Sequence, residues 1–163
     1  MKPNAVIFDM DGVLIDSLEA HFQSWNRMLQ QHGLSMSRKE FTQSFGRTSR
    51  EIISESWPEQ AADAETIAQW DDQKEAAFRE IIREEFPTMP GAEALIRELD
   101  EAGFKQAVGS SGPKENIQVA LDCLPGAERF AAAVTGNDVE KGKPHPEVFL
   151  TAARKLDVPP EQC

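Results

Sequence analysis

Two aspartates one residue apart, Asp9 and Asp11, follow directly on four apolar residues, Ala5-Val6-Ile7-Phe8, and lead into Gly12. The apolar run reads as a fully buried strand. The acids then stand at its carboxyl end, where open α/β sheets bind ligands. A period of two puts both side chains on one side of an extended chain. Carboxylates that close repel unless a cation or a proton lies between them. The simplest relief is Mg²⁺, a hard cation that prefers oxygen ligands. A plain strand followed by an Asp-Gly turn is the blander reading. It leaves unexplained why a second acid precedes the turn directly after a buried strand.

The rest of the chain must supply the scaffold for these acids. From about Ser17 to Phe86 the pattern is helical and shows no strand signal. Leu18, Phe22, Trp25 and Leu29 recur at helical spacing and define one apolar face. His32-Gly33 ends that helix. Ser37 with Glu40, and Thr48 with Glu51, have the spacing of capping boxes. Ile67, Trp70, Phe78, Ile81 and Ile82 mark a long helix stopped near Pro87. After Met89-Pro90-Gly91 helices and strands alternate. Leu95, Ile96 and Leu99 are expected to face the core, with Gly103 closing their helix. Gln106–Gly109 is expected as a strand, Pro113–Leu121 as a helix and Ala131–Thr135 as a third strand. Pro146 opens a last helix carrying Val148, Phe149, Ala152 and Leu156. Such alternation implies βαβ units and a doubly wound, Rossmann-like parallel sheet. The fold class is α/β with an inserted helical bundle.

Composition narrows the partners. The 163 residues carry a net charge of −11 with no basic stripe, so neither nucleic acid nor an anionic membrane is expected to bind. Cys123 and Cys163 lack metal-ligand spacing and suggest a reduced, cytoplasmic protein. Ala5–Phe8 is too short for a signal-peptide core, and no long apolar run follows it.

Phe8-Asp9-Met10-Asp11-Gly12-Val13-Leu14-Ile15-Asp16-Ser17 resembles the first motif of the haloacid dehalogenase-like hydrolases, in particular the β-phosphoglucomutase-like phosphatase branch. The resemblance implies that Asp9 is the nucleophile that takes a phosphoryl group. It implies that Asp11 is the general acid for the leaving oxygen and then the base for water. The second aspartate argues against true dehalogenation. The resemblance also implies Mg²⁺, held through Asp9 and Asp11. The domains expected on this basis are a hydrolase core over 1–16 and 87–163 and a helical cap over 17–86, hinged at the two crossings.

Phosphoryl transfer needs alignment and positive charge more than covalent chemistry. Ser110 closes the second strand, so its hydroxyl and the N–H groups after it can face the same crevice as Asp9. A helix starting near Pro113 would add its positive end to a phosphate there. Val108-Gly109-Ser110-Ser111-Gly112 resembles the family's second motif, with Ser111 a substrate contact beside Ser110. A plain turn is the alternative for Ser-Ser-Gly. Lys143, in Lys143-Pro144-His145-Pro146-Glu147-Val148-Phe149, resembles the third motif and would neutralise charge and orient the nucleophile. Asp138 reads either as a residue of the site rim or as a turn residue.

In the helical segment His21, Trp25, Arg50 and Lys74 match positions where the mutase-like branch carries polar cap residues, and His21, Arg50 and Lys74 are taken as substrate contacts. Trp25 reads equally as core, His21 as a surface residue and Lys74 as a solvated one. Arg47 and Arg50, in Gly46-Arg47-Thr48-Ser49-Arg50-Glu51, stand at a loop-to-helix junction suited to clamping phosphate or hydroxyls.

The family's fourth motif, an apolar strand ending in one or two acids, would follow Cys163. The resemblance therefore implies that C-terminal strands of the family core are absent from these 163 residues. Ala5–Phe8 would then lie at an apolar sheet edge, open to self-association, and activity would be low. Three functions stay open on this reading. The first is a Mg²⁺-dependent phosphatase acting on a small phosphorylated metabolite. The second is a β-phosphoglucomutase-like sugar-phosphate mutase. The third is an impaired fragment or non-catalytic binding domain.

Overall fold

In the computed structural model, which describes residues 4–44 and 47–163, the apolar run before the acids forms strand β1, Ala5–Phe8. Four helices follow: α1 (Leu18–Gln31), α2 (Arg38–Ser44), α3 (Ser49–Ser56) and α4 (Ala64–Glu84). Alternation then begins with α5 (Ala92–Glu101), β2 (Lys105–Gly109), α6 (Lys114–Cys123), β3 (Ala132–Val134) and α7 (Glu147–Leu156). Gly46, quoted above at the loop-to-helix junction, lies outside the described residues. The chain divides into two compact units, Met1–Ser17 with Glu85–Cys163, and Leu18–Glu84. No helix among the described residues is long and apolar enough to cross a membrane.

The first unit is an α/β layer. Its three strands run parallel in the order β1-β2-β3. Phe8 pairs with Val108, and Gly109 with Val134. Ala5, Ala107 and Val134 pack on one face with Val148, Ala152 and Leu156 of α7. The opposite parity of β2 turns Gln106 to the other face, where its side-chain amide donates to the Ile96 carbonyl of α5 at 2.9 Å. Helices thus cover both faces, as a parallel sheet requires. β1 is expected to be buried throughout, yet Val6 and Ile7 are only half-buried. Among the described residues β1 pairs on one side only, and an edge strand shields less of itself.

The α5 stripe also differs from its expectation. Ile96 is fully buried and Ala92 nearly so, whereas Leu95 is 48% exposed. Adjacent helical residues point about 100° apart, so Leu95 and Ile96 cannot share a narrow face. In the same way Leu18 is exposed on α1, and the buried stripe there is Ala20, Ser24, Trp25, Met28 and Leu29.

The second unit is a helical bundle with its own core, which includes Trp25, Met28, Leu29, Phe41, Ile53 and Trp70. Its helix ends are specified locally. Gly33, at φ 71°, closes α1. The Leu34 N–H returns to the Leu29 carbonyl and the Gly33 N–H to that of Gln30, the two bonds of a Schellman motif. Ser37 and Glu40 exchange hydrogen bonds ahead of α2, and Thr48 and Glu51 form the capping box of α3.

Candidate active site

β1 delivers Asp9 to the carboxyl end of the sheet. The Met10 N–H donates to Asp9 Oδ1 at 2.7 Å, and Lys143 Nζ lies 2.5 Å from the same oxygen. Both contacts fall on Oδ1, which sets the orientation of the carboxylate and leaves Oδ2 as its other face. The turn that follows is anchored from beneath. Met10 is fully buried and its carbonyl accepts from the Leu14 N–H at 2.9 Å. Gly12 adopts a positive φ of 74° that a side chain would disfavour. The returning segment bridges Ile15 to Thr88. Buried Ser17 donates its hydroxyl to Asp11 Oδ1 at 2.6 Å.

The loop after β2 approaches the same end of the sheet. The Ser110 N–H extends the ladder by donating to the Val134 carbonyl at 2.9 Å. The Ser110 hydroxyl is buried and accepts from the Gly112 N–H at 3.1 Å. Ser111 is exposed, and its hydroxyl accepts from the backbone N–H of Lys143 at 3.2 Å. One short loop therefore presents a serine hydroxyl while tying down the lysine that reaches Asp9. Lys143 is steadied from a second side, because its Nζ lies 5.1 Å from the centroid of the Phe149 ring. A Cβ on Gly109 would meet that ring at 3.2 Å, so the glycine makes room for it.

Asp138 serves the turn after β3. Its carboxylate accepts from the Thr135 N–H and hydroxyl, each at 2.8 Å. The backbone bond foremost, then the hydroxyl, holds this carboxyl below the ordinary aspartate range, and Lys155 adds to the effect. The loop is also packed tightly, since a Cβ on Gly136 would fall 2.5 Å from the Ser111 carbonyl oxygen.

Within the helical unit each candidate substrate contact already has a partner. His21 stacks on Phe78 with ring centroids 4.1 Å apart and the ring planes nearly parallel. Its Nδ1 accepts from Lys74 Nζ at 3.2 Å. Lys74 is buried, not solvated, and pairs with Glu75 at 2.8 Å. Arg50 Nε donates to Asp71 Oδ2 at 2.8 Å, and Arg47 pairs with Glu55 at 2.5 Å. Trp25 belongs to the core. Ser17 and Phe149 stand in the motifs quoted above without a role assigned to them, and Asp71 and Glu75 have no sequence signal of their own. Each depends on a neighbour brought close by folding.

A metal would find only hard oxygen donors here. Among the described residues no group of three or more His, Cys, Asp or Glu is placed to hold an ion. Mg²⁺ keeps several waters and commonly takes one or two carboxylates plus a substrate phosphate. Asp9 and Asp11 suit that requirement in donor type and number.

The family model of the haloacid dehalogenase-like hydrolases matches residues 6–163. Hexitol phosphatase A of Escherichia coli is 30% identical over 166 residues, an alignment that covers 100% of this chain and 73% of that protein. β-Phosphoglucomutase of Bacillus subtilis is 30% identical over 165 residues, covering 98% of this chain and 72% of that one. The crystal structure of CbbY from Rhodobacter sphaeroides in complex with phosphate superposes with a TM-score of 0.85 at 28% identity, covering 98% of this chain and 75% of that chain. An acid pair after the first strand, a lysine on the first acid and a match along nearly the whole chain agree: this protein belongs to the haloacid dehalogenase-like hydrolases.

Proposed function

We propose that this chain is a phosphoric monoester hydrolase acting on a small phosphorylated sugar or polyol through an aspartyl-phosphate. The observation that carries the reading is Lys143 on Asp9 Oδ1, tethered through its own backbone to Ser111. The hexitol phosphatase among its relatives supports the substrate class.

Asp9 Oδ2 attacks phosphorus, since Oδ1 is held by Met10 and Lys143. The bond from phosphorus to the leaving oxygen breaks, and Asp11 gives that oxygen its proton. Asp11, now a carboxylate, takes a proton from water, whose oxygen attacks phosphorus. Inorganic phosphate leaves and Asp9 is restored. Ser17 keeps Asp11 in one orientation through both proton transfers. Lys143 and the Ser110-Ser111 loop offset the charge on the phosphoryl oxygens. Mg²⁺ held by Asp9 and Asp11 would add charge neutralisation at those same oxygens. His21, Arg50 and Lys74 are the residues of the helical unit that the family resemblance offers as substrate contacts, and each already has a partner within that unit.

The test is p-nitrophenyl phosphate turnover with and without Mg²⁺. Release of phosphate that needs the metal and disappears in Asp9→Asn is the expected result. Conversion of a hexose phosphate to its positional isomer without phosphate release would establish a mutase instead. No turnover of any phosphate ester would leave a non-catalytic domain.

A further inference from the structure

α7 opens with Glu147, whose carboxylate turns away from its own helix. Its Oε1 accepts from the Glu140 N–H at 3.0 Å, and its Oε2 accepts from the Lys141 N–H at 3.2 Å. His145 Nδ1 lies 3.7 Å from Oε2, too far for a hydrogen bond. The Phe149 and Leu150 N–H groups, in the first turn of α7, both take the Pro146 carbonyl instead. An acid at this position commonly serves the helix end alone. Here two successive loop N–H groups converge on it, as they do on a bound anion. The Glu140 bond foremost holds this carboxyl below the ordinary glutamate range, against the opposing effect of desolvation, and the Lys141 bond adds to it. At neutral pH the group is therefore a charged acceptor at both oxygens.

The loop so held is the one that carries Lys143. It spans residues 139–146, between the turn after β3 and α7. Glu147 fixes its first part. Ser111 fixes its middle by accepting from the Lys143 N–H at 3.2 Å. The His145 N–H closes back on the Gly142 carbonyl at 3.0 Å, so the stretch around Lys143 is itself a tight turn. Phe149, two residues beyond Glu147, lies 5.1 Å from the ammonium. One end of α7 thus steadies both the backbone that bears Lys143 and the charge at its tip.

We infer that Glu147 is a positioning residue for the reaction: by clamping the Glu140 and Lys141 N–H groups it fixes the loop that sets Lys143 on Asp9. The effect on rate rests on the phosphatase reading above, whereas the effect on Lys143 does not. Glutamine cannot replace the clamp, because its amide offers one acceptor oxygen and turns a donor toward the second N–H. The side chain is partly exposed, so Glu147→Gln strands no buried charge and the variant is expected to fold.

The experiment is nuclear magnetic resonance of the 163-residue chain with lysine carrying ¹³C at Cε, combined with p-nitrophenyl phosphate turnover in Mg²⁺. The Lys143 resonance is identified by its loss in Lys143→Arg, and it reports the place of the ammonium beside the Phe149 ring. Glu147→Gln is expected to move it toward the solvated lysines. It should also lower kcat about tenfold or more, within the ~10²-fold that a small misplacement of a working group can cost. In the parent chain the Glu140 and Lys141 amides should be protected from hydrogen exchange, a measurement that needs no variant. Free exchange of both amides overturns the inference. So does a Glu147→Gln chain that is less stable to urea while its Lys143 resonance stays in place, since Glu147 would then serve only the helix end. An unmoved kcat in a chain that turns over overturns it as well. A displaced Lys143 resonance without turnover by the parent chain overturns the phosphatase alone and leaves Glu147 as the residue that holds Lys143.

Discussion

Asp11 can act as acid and then as base only if its carboxyl group holds one direction while its charge changes. The hydroxyl of Ser17, at 2.6 Å from Oδ1, supplies that constraint. Ser17 is buried, so it has little freedom to follow a carboxylate that swings away. Ser17→Ala is expected to lower kcat on an alkyl phosphate roughly tenfold, a fraction of the ~10²–10⁴ that general acid–base catalysis contributes. p-Nitrophenyl phosphate needs little help from an acid, because its leaving group is stable as the anion. Its kcat should fall much less. Steady-state kinetics on the two esters checks the split, and equal losses on both would show that Ser17 is merely structural. At this scale, what could be read from the sequence was contiguous. Asp9 and Asp11 announce themselves by spacing, and Ser110 and Lys143 by the motifs around them. The pairings within the helical unit did not. Glu75 meets Ser49 across 26 positions, and Asp71 meets Arg50 across 21. Nothing in either local pattern signals the encounter.

Elements bring the same residues together through two glycines whose constraints differ. Gly109 ends β2, and a Cβ there would meet the side chain of Phe149 at 3.2 Å, a ring that can shift by a few tenths of an ångström. Gly136 follows β3, and a Cβ there would meet the backbone oxygen of Ser111 at 2.5 Å. Its own N–H donates to the Gly112 carbonyl at 3.0 Å, so the two loops cannot part without losing a bond. Gly136→Ala is therefore expected to cost about 1–3 kcal/mol, the usual range for forcing extra volume into a packed site, while Gly109→Ala should cost less. Urea denaturation of both variants measures the difference. An equal or reversed order would show that the loop after β3 adjusts freely. The sequence Thr135-Gly136-Asn137-Asp138 is legible as a turn, since Asp138 caps it locally. That Gly136 is required by space and not by its φ is a property of two loops in contact, invisible to either alone. The same limit explains Leu95, which satisfies an apolar pattern yet lies outside the buried stripe. By contrast the capping boxes at Ser37 and Thr48 are legible because every partner lies within one turn.

The whole molecule is organised as two units that each close their own core. Chain connectivity makes this economical, since the helical unit leaves and rejoins the α/β unit after Ser17 and before Glu85. Trp25, Trp57 and Trp70, the chain's three tryptophans, all fall within Leu18–Glu84. Trp25 and Trp70 belong to the core that contains Ile53, and Trp57 packs against it. The α/β unit has none, so tryptophan emission reports one unit while far-ultraviolet dichroism reports both. Ile53 and Val134 are each fully buried, one in each core. Ile53→Ala should lower the stability read by fluorescence by about 2–5 kcal/mol, from lost burial and the cavity left behind. Val134→Ala should leave that fluorescence transition in place and move only a component of the dichroism. Parallel urea titrations by the two probes make the comparison. If both variants shift both probes together, the two cores unfold as a single cooperative body. The division into units would then describe packing but not stability.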